Sequence, residues 1–193
     1  MIEAKTVKML RDKTGAGMMD CKNALTESGG DIDKAIDALR KSGIAKAEKK
    51  GSRDTKEGLI YSYIHAGGRI GVLIEINCET DFVAKTEGFI ELTHNIAMQI
   101  AATNPIALDK EFISSSIIER EREIYTDQAK SSGKPDNIIE KMVDGKMSKF
   151  FQENCLLQQS YIKDPDIKVI DLITESIATL GENIAISRYI RFA

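Results

Sequence analysis

The chain has little of what stabilises small secreted or metal-bound proteins. Its 193 residues include three cysteines, three prolines and no tryptophan. The cysteines, Cys21, Cys78 and Cys155, are odd in number and widely spaced, which excludes a fully paired disulfide framework and a zinc site built from closely spaced cysteine pairs. We therefore expect three reduced thiols that behave as partly buried small apolar side chains.

Long apolar runs and an excess of one charge are also absent. No stretch approaches the roughly 18 apolar residues of a membrane helix, and 27 Lys and Arg against 30 Asp and Glu give a net charge of -3. This balance argues against a generally basic nucleic-acid binder, and 42% hydrophobic residues argue against disorder. The sequence, which begins without a targeting composition, predicts a cytoplasmic protein, or a mature chain after import, with no membrane or direct nucleic-acid partner.

Two glycine-containing breaks divide the first fifty residues into three predicted short helices. The first helix covers residues 4–13, the second runs from Met18 to Glu27, and Asp31 caps the third. We predict a three-helix module over residues 1–45, followed by a lysine-rich linker over residues 46–57. An alternative interpretation of the lysine-rich segment is a nucleic-acid contact.

From Gly58 onward the apolar pattern alternates, which is typical of strands. Strands are predicted at Leu59–Ala66 and Arg69–Asn77, joined by a two-residue turn at Gly67-Gly68, and again at Asn183–Phe192. The predicted fold is therefore α+β: residues 58–193 form a core in which helices pack on a three-stranded antiparallel sheet.

Four helices are predicted within this core. One extends from about Phe82 to Thr103. A capping box at Ser116–Glu119 opens the second, which runs through Ala129. Pro135 begins the third, which reaches Asn154. After a turn at Asp164-Pro165, the fourth covers Val169–Leu180 and ends at Gly181.

The motifs of common catalytic sites are missing. His65 and His94 are the only histidines, and neither belongs to a metal-binding motif. Gly15-Ala-Gly17 resembles the start of a dinucleotide fingerprint, but it follows a helix and lacks the third glycine. We predict a protein without covalent catalysis or a cofactor. The alternative is an enzyme in which Cys78 is a nucleophile assisted by one of the histidines, and no local motif supports it.

Two segments suggest contact with another protein. Met18-Met19 places two adaptable apolar side chains at a helix start, where both cannot face one small core. Thr80-Asp-Phe-Val83 joins a strand end to a helix start and offers an aromatic ring beside a carboxylate. The alternative for the second segment is structural: Thr80 or Asp81 as a helix cap, and Phe82 as a hydrophobic staple to the core.

These segments belong to longer motifs that resemble the elongation factor Ts family. The N-terminal motif is Leu10-Arg11, then Thr14-Gly-Ala-Gly-Met-Met-Asp-Cys-Lys22, Ala24-Leu25 and Gly30-Asp31. The core motif is Asn77-Cys-Glu-Thr-Asp-Phe-Val-Ala-Lys85, where Glu79 stands at a position often held by Gln. Gly133-Lys-Pro135 and Cys155-Leu-Leu-Gln158 extend the similarity over essentially the whole chain.

The resemblance implies a guanine-nucleotide exchange factor that binds EF-Tu in its GDP-bound and nucleotide-free states. The first module would be a ubiquitin-associated-like domain that docks on the nucleotide-binding domain of EF-Tu. The segment that dislodges Mg²⁺ from EF-Tu·GDP would be Thr80, Asp81, Phe82 and Val83. The docking residues would be Val7, Leu10, Arg11, Gly15, Ala16, Gly17, Met18 and Met19.

The chain also lacks the second core repeat and the coiled coil of long family members. The resemblance therefore implies a short form that works as a homodimer, and Ile184, Ile186 and Ile190 are candidates for the face that a second copy covers. A different class of function is an adaptor in which the helical module is tethered to an interaction domain and no nucleotide exchange occurs.

Overall fold

The computed structural model describes residues 2–131 and 133–193, in which helices pack around a small antiparallel sheet. Three strands form this sheet in the order β1 (Glu57–Ile64), β2 (Gly71–Cys78) and β5 (Ile184–Phe192), and two further strands, β3 (Ser160–Tyr161) and β4 (Asp164–Lys168), pair separately. The prediction of an α+β fold with a three-stranded antiparallel sheet is confirmed.

The elements follow each other with short connections. Their bounds are α1 Ala4–Thr14, α2 Met18–Glu27, α3 Ile32–Lys50, β1 Glu57–Ile64, β2 Gly71–Cys78, α4 Asp81–Ala84, α5 Glu87–Thr103, α6 Ser115–Lys130, α7 Asp136–Asn154, β3 Ser160–Tyr161, β4 Asp164–Lys168, α8 Val169–Leu180 and β5 Ile184–Phe192, with single 3₁₀ turns at Lys110–Phe112 and Leu156–Gln158.

The chain forms two compact units. The first comprises Met1–Ser62, Leu73–Asn95 and Asp171–Ile190, and the second comprises Tyr63–Val72, Ile96–Ile170 and Arg191–Ala193. The first unit thus contains α1–α3 together with most of the three-stranded sheet. The division predicted from the sequence, with boundaries after residues 45 and 57, stays a prediction.

In the first unit, α1, α2 and α3 enclose a small apolar core of their own. Leu10, Cys21, Leu25 and Ala35 are fully buried in it. Asp31 caps α3 as predicted, because its carboxylate accepts a hydrogen bond from the Lys34 N–H at 3.1 Å. The third helix is longer than predicted, since it continues to Lys50 through much of the expected linker.

The long third helix lies close to α8. A Cβ atom built on Gly43 would lie 3.2 Å from the Cβ atom of Ala178, so glycine at this position permits the close approach of the two helices. The Lys50 ammonium donates a hydrogen bond of 2.6 Å to the carbonyl oxygen of Gly181, at the end of α8. A lysine side chain can thus donate to a carbonyl group at the residue where a neighbouring helix ends.

In the second unit, α6 and α7 pack against each other around Ile139, Val143, Met147 and Phe150. A buried amide network lies beside the β3–β4 pair. Gln99 donates to the side chain of Gln159 at 3.0 Å and accepts from the Ile162 N–H at 2.9 Å. Both glutamines are buried with their polar atoms satisfied, which is the condition under which such groups are tolerated in a core.

Several predicted boundaries and caps are wrong. The helix predicted from Phe82 to Thr103 is two helices, because the chain leaves helical geometry between Ala84 and Glu87. The capping box at Ser116–Glu119 does not form: Ser114 occupies the N-cap position with extended backbone, and α6 begins at Ser115.

The turn predicted at Asp164-Pro165 is also wrong, since these residues begin β4, which pairs with β3 antiparallel. Both strands of a two-stranded sheet are edge strands, so Pro165 does not remove a hydrogen bond from the middle of a sheet. The hairpin between β1 and β2 forms as predicted, but its connection spans residues 65–70, within which Gly67 and Gly68 both have positive φ. A six-residue connection replaces the two-residue turn.

Candidate functional site

The segment Thr80–Val83, here called the tip, lies between the end of β2 and the single helical turn α4. Phe82 is 79% exposed, the highest value among the large apolar side chains that the structure describes. The alternative of a hydrophobic staple is therefore wrong, because Phe82 does not reach the core. Its exposure leaves the whole ring available to another molecule.

Asp81 also faces solvent, beside a positive charge. Its carboxylate accepts a 2.6 Å hydrogen bond from the Lys85 ammonium, one helical turn further on. This bond and the charge of Asp81 raise the pKa of Lys85 above its ordinary value. Exposed pairs of this kind contribute little to stability, so the Asp81 carboxylate can leave Lys85 for another partner at little cost.

Thr80 points the other way. Its hydroxyl donates a 2.6 Å hydrogen bond to Glu182 Oε1, and its backbone N–H donates to Glu182 Oε2 at 2.9 Å. It occupies the N-cap position of α4, as the structural alternative expected, but its side chain makes no capping hydrogen bond. The hydroxyl instead ties the tip to the residues that follow α8.

Glu182 belongs to a cluster that we call the junction, consisting of Lys50, Arg53, Glu79, Gly181, Glu182 and Asn183. The Glu79 N–H donates to Glu182 Oε2 at 3.1 Å, and in return Glu79 Oε1 accepts a 2.7 Å bond from the Asn183 N–H. Asn183 also donates from its side-chain amide to the carbonyl oxygen of Arg53 at 2.8 Å. Three chain segments, which follow α3, β2 and α8, thus meet at the base of the tip.

The two carboxylates of the junction are held by donors. The Asn183 N–H and, secondarily, the Arg53 guanidinium at 3.4 Å keep the pKa of Glu79 below its ordinary value. A glutamine at position 79 would keep an acceptor oxygen for the Asn183 N–H and lose the charge opposite Arg53. The sequence motif drew attention to Glu79, whereas no periodicity or spacing signal indicated Arg53, Glu182 or Asn183.

The predicted docking residues of the N-terminal helices fall into two groups. Met18 and Met19 are 45% and 63% exposed, and Arg11 is exposed as well. Val7 and Leu10, with 6% and 0% exposure, lie instead in the core of the three helices. These two side chains support the surface from beneath. Met9, which the sequence argument did not select, is 43% exposed on the same helix as Arg11.

The glycine turn that precedes the methionines has an intramolecular neighbour. Gly15 has a φ of 65° and ends α1, and a Cβ atom built on it would lie 3.3 Å from the side chain of Thr179 in α8. Gly15 therefore permits the end of α1 to approach α8 closely. Ala16 is partly buried and packs against the three-helix core, while Gly17 precedes α2 at its N-cap.

The cysteine and histidine residues do not form a nucleophilic site. All three cysteines are buried and unpaired. Burial raises the pKa of Cys78, and burial together with Asp109 and Glu111 raises the pKa of Cys155 to about 11. Both thiols are thus protonated at neutral pH, and the thiolate is the reactive form. His65 and His94 contact the hydroxyls of Tyr63 and Tyr61, respectively.

Residues 2–131 and 133–193 contain no group of three or more potential metal-ligating side chains. Over the same residues, no helix combines the length and the apolar composition needed to cross a membrane.

Comparison with known proteins finds sequence relatives that match the chain over nearly its whole length. A sequence model of the family "Elongation factor TS" matches residues 44–193. "Elongation factor Ts" of Syntrophobacter fumaroxidans is 59% identical over 99% of this chain and 96% of its own length. The proteins of the same name from Syntrophomonas wolfei and Thermosipho melanesiensis are 59% and 57% identical over the whole chain, and cover 90% and 98% of their own lengths.

Proposed function

Because this chain belongs to the elongation factor Ts family of translation elongation factors, we propose that it binds EF-Tu·GDP and promotes GDP release and exchange for GTP. The observation that supports this most strongly is the tip, where a nearly fully exposed Phe82 lies beside the exposed carboxylate of Asp81. Phe82 separates packed elements of the partner, and Asp81 disturbs the Mg²⁺ and phosphate site.

The energetic requirement is differential binding. GDP is held in such sites by backbone N–H groups and by Mg²⁺ that bridges phosphate oxygens. Each tenfold loss of GDP affinity requires that the factor bind the nucleotide-free partner about 1.4 kcal/mol more tightly than the loaded one. By linkage, GDP and Mg²⁺ must weaken the binding of the factor by the same amount.

A separate surface supplies much of the binding energy in this proposal. The exposed Arg11, Met18 and Met19 dock the N-terminal helices, with the characteristics of a ubiquitin-associated-like module, on the nucleotide-binding domain of EF-Tu. Methionine side chains adapt to an irregular apolar surface. Docking of these helices, which lie close to α8, brings the tip to the nucleotide site.

We further propose a cytoplasmic homodimer that makes no direct contact with nucleic acid. Of the three isoleucines expected at the covered face, Ile184 and Ile186 are buried within the chain, and Ile190 remains exposed together with Phe192. The second copy therefore covers the end of β5. In the lysine-rich segment, Lys46 pairs with Asp20 at 2.9 Å and Lys50 bonds Gly181, so part of its charge serves the fold.

The test is release of fluorescent GDP from EF-Tu with and without this protein, at several Mg²⁺ concentrations. We expect faster release with the protein, and the acceleration should saturate as its concentration rises. Asp81→Asn should reduce the acceleration most when Mg²⁺ is abundant, because the carboxylate competes with the phosphates for the ion. An adaptor, in contrast, would form the complex and leave the release rate unchanged.

A further inference from the structure

We propose that Glu182 is a positioning residue for nucleotide release, which acts by fixing Thr80 and thereby the orientation of Asp81 and Phe82. The inference rests on the proposed function and adds a residue that lies about a hundred positions from the tip in the sequence. In this proposal Glu182 does not touch the partner, because both of its carboxylate oxygens are bonded to the base of the tip.

The carboxylate of Glu182 collects three donors. Oε2 accepts the N–H groups of Glu79 and Thr80, and Oε1 accepts the Thr80 hydroxyl. Hydrogen bonds to an ionised acceptor are shorter and stronger than neutral ones, and the 2.6 Å hydroxyl bond fits that class. Three bonds from two oxygens fix both the backbone and the side chain of Thr80.

The tip needs this support because its own secondary structure is minimal. α4 contains only four residues, Asp81–Ala84, and lacks a side-chain cap. An isolated helical turn is unstable, because nucleation orders several residues for a single backbone bond. The orientation of Phe82 therefore depends on how firmly Thr80, two residues earlier, is held.

Glu182 is itself held in place from both sides. Gly181, with a φ of 83°, ends α8 and bonds its N–H to Ile177, while its carbonyl oxygen accepts from Lys50. On the other side, the Asn183 N–H is bonded to Glu79. Glu182, which fixes the tip, is thus connected through Gly181 to Lys50 at the C-terminal end of α3. Contiguous bonds therefore link the N-terminal helices to the tip.

This arrangement predicts a particular kinetic effect. A side chain that distorts a partner must be held in its productive geometry by its surroundings. Weakening the Glu182 contacts leaves the docking surface intact and lets Phe82 move, so the complex forms but distorts the nucleotide site less. The saturating release rate should fall while the concentration of factor that gives half of that rate stays the same.

The experiment compares Glu182→Gln with Glu175→Gln, which removes the same charge from an exposed position of α8. Gln retains one acceptor oxygen and replaces the other by a donor, so the three bonds cannot all persist. We expect Glu182→Gln to lower the saturating GDP release rate about tenfold, within the range typical of coupling between sites. Glu175→Gln should release GDP at the rate of the unmodified protein, and thermal melts report the folding of each variant.

A second pair of variants tests the same contact from the other side. Thr80→Val removes only the hydroxyl bond, whereas Thr80→Ser keeps it. We expect Val to slow release and Ser to restore most of the rate. In the double variant Thr80→Val/Glu182→Gln, the loss should be smaller than the product of the two single losses, because both changes break one shared contact.

The positioning role is overturned if well-folded Glu182→Gln releases GDP normally, if Glu175→Gln slows release equally, or if the double variant is multiplicative. Should Glu182→Gln fail to fold, equal rates for Thr80→Val and Thr80→Ser overturn it. If the unmodified protein accelerates release and Phe82→Ala abolishes this, the exchange function stands whatever Glu182 does. If the unmodified protein has no effect, the exchange function itself is wrong.

Discussion

The tip and the surface of the N-terminal helices both expose apolar side chains, but different contacts hold them. Met18 and Met19 lie on a helix whose inner face packs into an apolar core containing Cys21, Ala24 and Leu25. Phe82 lies on a single turn whose preceding residue, Thr80, is held by hydrogen bonds to the Glu182 carboxylate. On the N-terminal helices, a stable apolar core carries adaptable methionine side chains, a combination that favours binding affinity. At the tip, polar contacts carry a rigid aromatic side chain.

This difference separates the two components of an exchange reaction. Adaptable contacts contribute similar binding energy to the loaded and the empty partner, which lowers the concentration of factor needed. Only contacts that favour the empty partner increase the release rate at saturation. Under the proposed function, we therefore expect the methionines to determine mainly the affinity and the tip mainly the release rate.

The largest effect should come from Phe82→Ala. Removal of the ring should lower the saturating GDP release rate by about 30-fold or more, which corresponds to the ~2 kcal/mol typical of an interface hot spot. Because the ring is 79% exposed, the melting temperature should not change. Stopped-flow release and thermal melts measure the two quantities. A normal release rate in a folded variant would remove the tip from the mechanism.

The double variant Met18→Ala/Met19→Ala should have the opposite pattern. The half-saturating concentration should rise about tenfold, which corresponds to about 1.4 kcal/mol for the two partly exposed methionines together. The saturating rate should be retained. Ile138→Ala, at a comparably exposed apolar position of α7, is the control for a general loss of apolar surface. If the saturating rate falls instead, affinity and distortion are not separated as proposed.

The sequence indicated both segments, but it did not show which of their side chains are exposed or which contacts hold them. The glycine breaks, the Asp31 cap and the alternating strands are local patterns, and each is present in the structure. The exposure of Phe82 could not be settled in advance, because a residue at a strand–helix connection is equally compatible with a staple and with an exposed tip.

The contacts within the junction follow no local sequence pattern. Glu182 and Thr80 are separated by 102 positions, and an ordinary glutamate after a helix-ending glycine gives no sign of its partner. The buried Gln99–Gln159 network escaped prediction for the same reason. Long-range polar contacts depend on which segments the fold brings together, whereas caps, turns and apolar faces depend on neighbours in the sequence.

The smallest expected effect is a difference between the two regions in how their stability depends on pH. The Asn183 N–H and Arg53 keep the pKa of Glu79 below its ordinary value of about 4.5, so the folded state favours the ionised carboxylate. The stability that this supplies is present above the ordinary pKa and is lost as the pH falls through the lowered one. In the N-terminal helices the Lys34 N–H likewise lowers the pKa of Asp31, but this carboxylate lies at the start of α3 and not in the apolar core around Leu25.

Hydrogen exchange between pH 6 and pH 4 can therefore separate the regions. After correction for the intrinsic pH dependence of exchange, protection of the Thr80 amide should decrease toward pH 4. Protection of the Leu25 amide in α2 should decrease less, because the Asp31 carboxylate caps the neighbouring helix α3 and does not bond to α2. In Glu79→Gln, which cannot lose a charge, the decrease at Thr80 should be smaller. If Thr80 and Leu25 lose protection in parallel, the tip and the N-terminal helices open together and the carboxylates do not distinguish them.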